Sequence, residues 1–151
     1  MLCLLLQLGT ERYALDARRI VEVVPMVNLR PLPHAADYVA GLFDYRGVLV
    51  PVIDLCRLTS ARNCGAFLTT RIVLVDYPDD QGEPHILGLL AEQVTETVKL
   101  KEAEFQNAGV DVPDAPYLGD VIKIGDNLVQ RLEIEQLLPD ELRTQLFTEC
   151  A

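Results

Sequence analysis

One run of residues, Val48-Leu49-Val50-Pro51-Val52-Ile53, limits the fold of this chain more than any other. It is apolar and β-branched, and too short for a helix, so it reads as a strand covered on both faces, as in a barrel or a sandwich. Pro51 has no N–H to give to a ladder, which puts an edge or a bulge at that point of the sheet. Ahead of the run, Gly41-Leu42-Phe43-Asp44-Tyr45 reads as a second β-type segment, and Arg46-Gly47 joins the two through a polar corner. Gly47 permits a tight turn there, and a reversal lifts the Arg46 side chain clear of the sheet.

The rest of the chain is also mostly β in pattern. Leu2 to Leu8 and Arg12 to Leu15 flank Gly9-Thr10-Glu11 as a hairpin. Asp16 can cap a single helical turn over Ala17-Arg18-Arg19, and Ile20 to Val24 is better as a strand. Glu22 stands among β-branched neighbours, so its carboxylate must reach solvent, a paired cation or a binding surface. Pro25, Pro31 and Pro33 restrict Met26 to Leu32 to a short extended piece. Further strands are read at Arg71 to Asp76, Ile86 to Ala91 and Val94 to Leu100, and a last hairpin at Tyr117 to Ile124 and Leu128 to Leu132, reversed through Gly125-Asp126-Asn127. Gly88 inside an apolar strand marks a bulge or a docking point. Tyr77 to Pro84, with the acidic pair Asp79-Asp80, and Lys101 to Asp114 read as loops. In the tail, Ile134, Leu137, Leu138, Leu142, Leu146 and Phe147 form a helical stripe broken by Pro139.

These segments sum to an all-β chain with a C-terminal helix, and a length of 151 residues fits one domain or two small lobes sharing a core. The polar connector Cys56 to Thr70 is the expected lobe boundary. It gives a first lobe at about residues 16–70, a second from residues 1–15 plus 71–138, and a helix at 139–151.

Charge and motif content remove several kinds of function. With 13 Lys+Arg against 23 Asp+Glu the net charge is -10, which opposes binding to nucleic acid or to an anionic membrane and favours a protein partner. Met1 to Leu6 is too short for a secretory core or a membrane span, and reads as the first strand of a cytoplasmic protein. The four cysteines, Cys3, Cys56, Cys64 and Cys150, form no C-x-x-C pair, so no zinc site or disulfide framework is signalled, and Cys56 reads as core filling. No phosphate loop, G-x-G-x-x-G, G-x-S-x-G or H-E-x-x-H occurs. His34 and His85 stand apart from any ligand cluster and read as surface residues. No cofactor, metal or catalytic residue is expected. From the residues alone, Arg46 is either a solvated turn residue or a recognition group.

Glu22 in its β-branched run, the Pro-bounded segment, Tyr38-Val39-x-Gly41 and x-Arg46-Gly47-x-x-x-Pro51-x-x-Asp54-Leu55 occur in this order. Together they resemble the CheW-type chemotaxis coupling domain, from about Leu4 to Leu138, with the Gly41 to Leu55 block the most specific part. Ile72-Val73, Gly88 and Tyr117-Leu118-Gly119 fall in matching places.

The resemblance implies two small five-stranded β-barrels packed side by side, with a groove between them. It also implies a non-enzymatic adaptor that couples the cytoplasmic tip of a chemoreceptor to the regulatory domain of a two-component histidine kinase, held near the membrane through receptor arrays without inserting into it. The positions matching the family's receptor-docking and kinase-docking residues are Glu22, Gly41, Asp44, Arg46, Ile72, Val73 and Gly88. On this reading Ile72 and Val73 meet apolar side chains of a receptor tip, Gly41 and Gly88 admit close backbone approach, and Arg46 holds a carboxylate or carbonyl. Alternatively, Arg46 and Glu22 pair with each other and fix the turn. The chain departs from the family pattern with Ala91-Glu92-Gln93-Val94 in place of Val-Asp-x-Val, Asp44 in place of Asn, and Gln130-Arg131 within a usually more apolar run. Two other functions remain open: a small-molecule or nucleotide-binding module using the groove, and an enzyme that clusters His34 or His85 with carboxylates.

Overall fold

The computed structural model describes residues 1–79, 81–110 and 112–147. Asp80 of the acidic pair, Asp111 in the second loop, and Cys150 with the end of the expected terminal helix lie outside the described residues.

Strands β1 (Leu2–Leu8) and β2 (Glu11–Asp16) form the opening hairpin, and the chain leaves them through a 3₁₀ turn at Ala17–Arg19. Asp16 caps that turn, its carboxylate accepting the Arg18 N–H at 3.0 Å. The chain then runs through β3 (Ile20–Pro25), β4 (Val39–Tyr45), β5 (Val48–Asp54), helix α1 (Leu55–Ser60), β6 (Arg71–Asp76) and β7 (Ile86–Ala91). It returns through β8 (Gln93–Lys99), β9 (Leu118–Ile124) and β10 (Asn127–Leu132), and ends in α2 (Asp140–Leu146).

Two five-stranded sheets result, ordered β8-β1-β2-β10-β9 and β3-β6-β7-β5-β4. The expected lobe partition is corrected here. Residues 71–76 and 86–91 belong with β3, β4 and β5, because β6 pairs along β3 and β7 lies parallel to β5. The chain therefore crosses between sheets at Asp16–Arg19 and again between Ala91 and Gln93, and the 56–70 connector stays within one sheet's territory. That connector opens with α1, which no sequence period announced: six residues are too few to show a helical stripe. Asp54 starts it by accepting the Arg57 N–H at 3.1 Å.

Side-chain alternation makes three cores from these two sheets. Leu4, Leu6, Leu8 and Leu15 of the first sheet meet Val73, Val75, Leu87 and Leu89 of the second, and Leu137, Leu138, Leu142 and Phe147 of the tail join the same cluster. The opposite face of the second sheet buries Val50, Val52, Ile72, Leu74 and Leu90, and that of the first buries Cys3, Ala14, Ile122 and Val129. The continuous apolar runs of β5, β6 and β7 follow directly, since each strand is covered on both sides.

The expectation for Pro51 is also corrected: β5 is an inner strand, and the bulge in its hairpin falls on β4 between Val39 and Gly41. Leu42, opposite Pro51, donates its N–H to the Arg30 carbonyl, and its own carbonyl accepts the Arg30 N–H. The Leu42–Pro51 pair is thus of the non-hydrogen-bonded kind, and the proline nitrogen faces β7, where pairing begins only at Val52–Gly88.

Candidate functional site

The corner between β4 and β5 is a two-residue turn, Arg46-Gly47, with both residues at positive φ (52° and 86°). This is the geometry whose twist matches a right-handed hairpin. Arginine in the left-handed region costs on the order of 1 kcal/mol, so neighbouring contacts have to hold it. Asp44 supplies one: its Oδ1 accepts the Gly47 N–H at 2.6 Å. Asn offers the same oxygen, so the departure from the family pattern at Asp44 leaves the corner intact. Asp44→Ala is expected to lower unfolding stability by about 1 kcal/mol and Asp44→Asn by less than about half of that, read from denaturant midpoints.

The Arg46 guanidinium sits 5.1 Å from the centre of the Tyr45 ring, and the Tyr45 hydroxyl donates to Glu22 Oε2. That hydrogen bond to a carboxylate raises the Tyr45 hydroxyl above its ordinary pKa. Arg46 also reaches Glu22 Oε1, at 3.5 Å. Because β3 and β4 are opposite edges of their sheet, these contacts join its two ends. The Arg46 side chain remains 75% exposed and that of Glu22 37%, so most of the five N–H donors of the guanidinium face outward. Arg46 is braced from behind and presented in front at once.

The remaining expected docking residues sit elsewhere. Ile72 and Val73 are both 0% exposed, one in the core of the second sheet and the other in the core between sheets. Gly88 is buried in regular register with β5 and β6, so it is neither a bulge nor an exposed docking point. A Cβ there would come within 2.9 Å of a Val52 methyl and 3.1 Å of an Ile72 methyl. Gly41 is buried as well, at φ 147°, with the Arg30 carbonyl 2.5 Å from where its Cβ would stand. Close backbone approach does occur at Gly41, but to the chain's own Arg30. Glu22, Asp44 and Arg46 share the corner, while Gly41, Ile72, Val73 and Gly88 form the scaffold beneath it.

A second polar centre was not legible in the sequence. Glu92, at the crossover from β7 to β8, has a side chain only 5% exposed and accepts from Arg62 (2.6 and 3.0 Å), Gly65 N (2.8 Å) and Gly9 N (2.9 Å). The Arg62 hydrogen bonds, followed by the backbone donors, hold its carboxyl down at about 2. The only advance signal was a departure from the family pattern at that position.

His85 pairs with Asp79 Oδ2 at 3.0 Å and stacks on Phe147 at 4.5 Å. Asp79 also accepts the Gln81 and Glu83 N–H groups, each at 2.9 Å, so the pair shapes the loop between β6 and β7 and ties it to the tail. Hydrogen bonding to His85 pulls the Asp79 carboxyl below its ordinary pKa. His34 is exposed. A cleft of about 490 Å³ lies between Tyr38, Leu58, Tyr117 and Leu137. Among the described residues its charged lining is Asp114 and Asp140, with no cation, which suits neither a phosphate nor a nucleotide.

Fold and site together define a double β-sheet module whose outward feature is a braced hairpin corner. The model of the CheW-like domain matches residues 2–142, and the chain belongs to that family. It is 25% identical over 137 residues to the chemotaxis protein CheW of Treponema pallidum, covering 87% of this chain and 78% of the relative. Against the chemotaxis protein CheW of Helicobacter pylori the identity is 27% over 132 residues, covering 87% and 77%. The crystal structure of the scaffolding protein TtCheW from Thermoanaerobacter tengcongensis superposes with a TM-score of 0.79 at 23% identity, covering 91% of this chain and 87% of the other, a likeness of fold.

Proposed function

We propose that this chain is a non-enzymatic adaptor that couples a chemoreceptor's cytoplasmic tip to the regulatory domain of a two-component histidine kinase. The observation that carries the reading is the family match across residues 2–142. The corner supports it chemically: Arg46 touches Tyr45 and Glu22 on one side and is otherwise exposed, so its outward donors can meet a carboxylate or carbonyl. Among the described residues no helix is long and apolar enough to cross a membrane, so membrane proximity on this reading comes through the receptor.

The test is reconstitution of receptor-dependent kinase autophosphorylation with the purified chain. Wild type should restore receptor control of the kinase, and Arg46→Ala should reduce it by at least about tenfold, the loss expected from one interfacial arginine. The same variant should melt within about 3 °C of wild type, because an exposed ion pair contributes roughly 0–1 kcal/mol. Failure of the wild-type chain to bind either partner, or full coupling by Arg46→Ala, would sink the reading.

A further inference from the structure

We propose that Asp54, Cys56 and Cys64 form a binding site for a thiophilic divalent cation of the zinc class. One ligand atom from each of the three lies within 4.8 Å of the others. Tetrahedral thiolate and carboxylate ligands of zinc, with metal–ligand bonds of roughly 2.0–2.3 Å, stand about 3.5–3.8 Å apart. Closing the site on a cation therefore takes movements of about an ångström, within the reach of side-chain rotation.

The three ligands are already held. Asp54 ends β5 and caps α1, so its carboxylate is fixed by the Arg57 N–H at 3.1 Å and by the Cys64 N–H at 3.0 Å to Oδ2 and 3.3 Å to Oδ1. These contacts use about three of the four lone-pair sites of a carboxylate, leaving one on Oδ2. Cys56 lies in the first turn of α1 and is fully buried. Cys64 is half-buried, which gives a cation a way in, and its thiol donates to the Leu90 carbonyl at 3.4 Å, the bond that would be given up on binding.

The surroundings fit a cation as well. Arg62 and Gly65, on either side of Cys64, are both anchored on Glu92, so the loop that carries Cys64 cannot swing away from Asp54. When a divalent ion enters, each thiol releases its proton to water and two thiolates and one carboxylate surround the cation, leaving one net negative charge. Arg62, two residues before Cys64 in the same loop, adds a positive charge to that part of the chain. Three protein ligands leave the fourth tetrahedral position for water. The sequence concealed this grouping because α1 and its left-handed end at Ala61 (φ 58°) bring Cys64 back onto Asp54-Leu55-Cys56.

Cobalt(II) is the probe, added to the fully reduced chain. One equivalent should produce the thiolate-to-cobalt charge-transfer band and tetrahedral visible bands, and zinc should displace them and raise the melting temperature. Cys64→Ala, chosen because that residue is half-buried and outside any helix or strand, should weaken cobalt binding by more than the ~10–100-fold typical of losing an outer-shell partner, while its circular dichroism stays that of wild type. Should Cys64→Ala lose the native circular dichroism, the zinc-dependent melting shift of wild type decides alone: its presence supports the site and its absence rejects it. The proposal is overturned by a reduced wild-type chain that gives no charge-transfer band, by bands that persist in Cys64→Ala, or by thiol titration showing that Cys56 and Cys64 are joined as a disulfide before any reductant is added and bind no metal after it.

Discussion

Glu92→Gln is expected to lower the melting temperature by about 5–10 °C, more than any polar substitution at the Arg46 corner. Gln keeps the size of the side chain but replaces one acceptor oxygen by an N–H₂ group, which would then face the Arg62, Gly65 or Gly9 donors now satisfied by the carboxylate. Leaving buried donors unmatched costs about 1–3 kcal/mol each, and removing one partner of a buried ion pair about 3–5 kcal/mol. Because the Arg62 side chain is 46% exposed and can turn to water, about 2–3 kcal/mol is the reasonable net loss. At about 2–4 °C per kcal/mol for a chain of this size, the stated shift follows.

The position of Glu92 makes the effect global. Gly9 belongs to the hairpin turn of the first sheet, while Arg62 and Gly65 belong to the connector of the second, so one carboxylate ties both sheets at the point where the chain crosses between them. Acid should reproduce the substitution. The folded carboxyl lies at about 2 against an ordinary 4.5, a depressed value, so its contribution is fully present above the ordinary value and fades as pH falls from there towards 2. Wild type should therefore lose stability over that window more steeply than Glu92→Gln, and two denaturation series at neutral and acid pH would show it. Parallel losses in the two proteins would refute the assignment.

How far the sequence revealed this molecule depended on whether a feature was local. The Asp44-Tyr45-Arg46-Gly47 corner was legible because a hairpin turn is written in adjacent residues, and the doubly covered strands were legible because burial on both faces leaves an uninterrupted apolar run. The lobe partition was not, since it took the polar connector Cys56 to Thr70 as the boundary, whereas β6 and β7, which follow that connector, pair with β3 and β5, which precede it. The Glu92 centre and the meeting of Cys64 with Asp54 depend on that same return of the chain. Ile72 and Val73 carry a different lesson. Adjacent residues of a strand point to opposite faces, and Ile72 and Val73 accordingly enter two different cores.

The buried positions lead to the second large effect, at Gly41. Gly41→Ala is expected to lower stability by about 2–4 kcal/mol, a melting shift of about 5–15 °C, because two costs coincide there. A side chain at φ 147° is strained in any surroundings, and this one would press within 2.5 Å of the Arg30 carbonyl, backbone that is itself fixed by reciprocal hydrogen bonds to Leu42 at 2.8 and 2.9 Å. Separating the backbones would break that bridge and loosen β4, the strand that carries Tyr45 and leads into the Arg46 turn. Gly41 thus supports the corner by holding the extended piece after β3 against β4. The contrast with Arg46→Ala separates support from contact. At a temperature where both variants are folded, Gly41→Ala should bind partners nearly as wild type does while melting far lower, and Arg46→Ala should melt like wild type while losing coupling. A Gly41→Ala protein with unchanged melting and lost binding would move Gly41 from the scaffold to the docking surface.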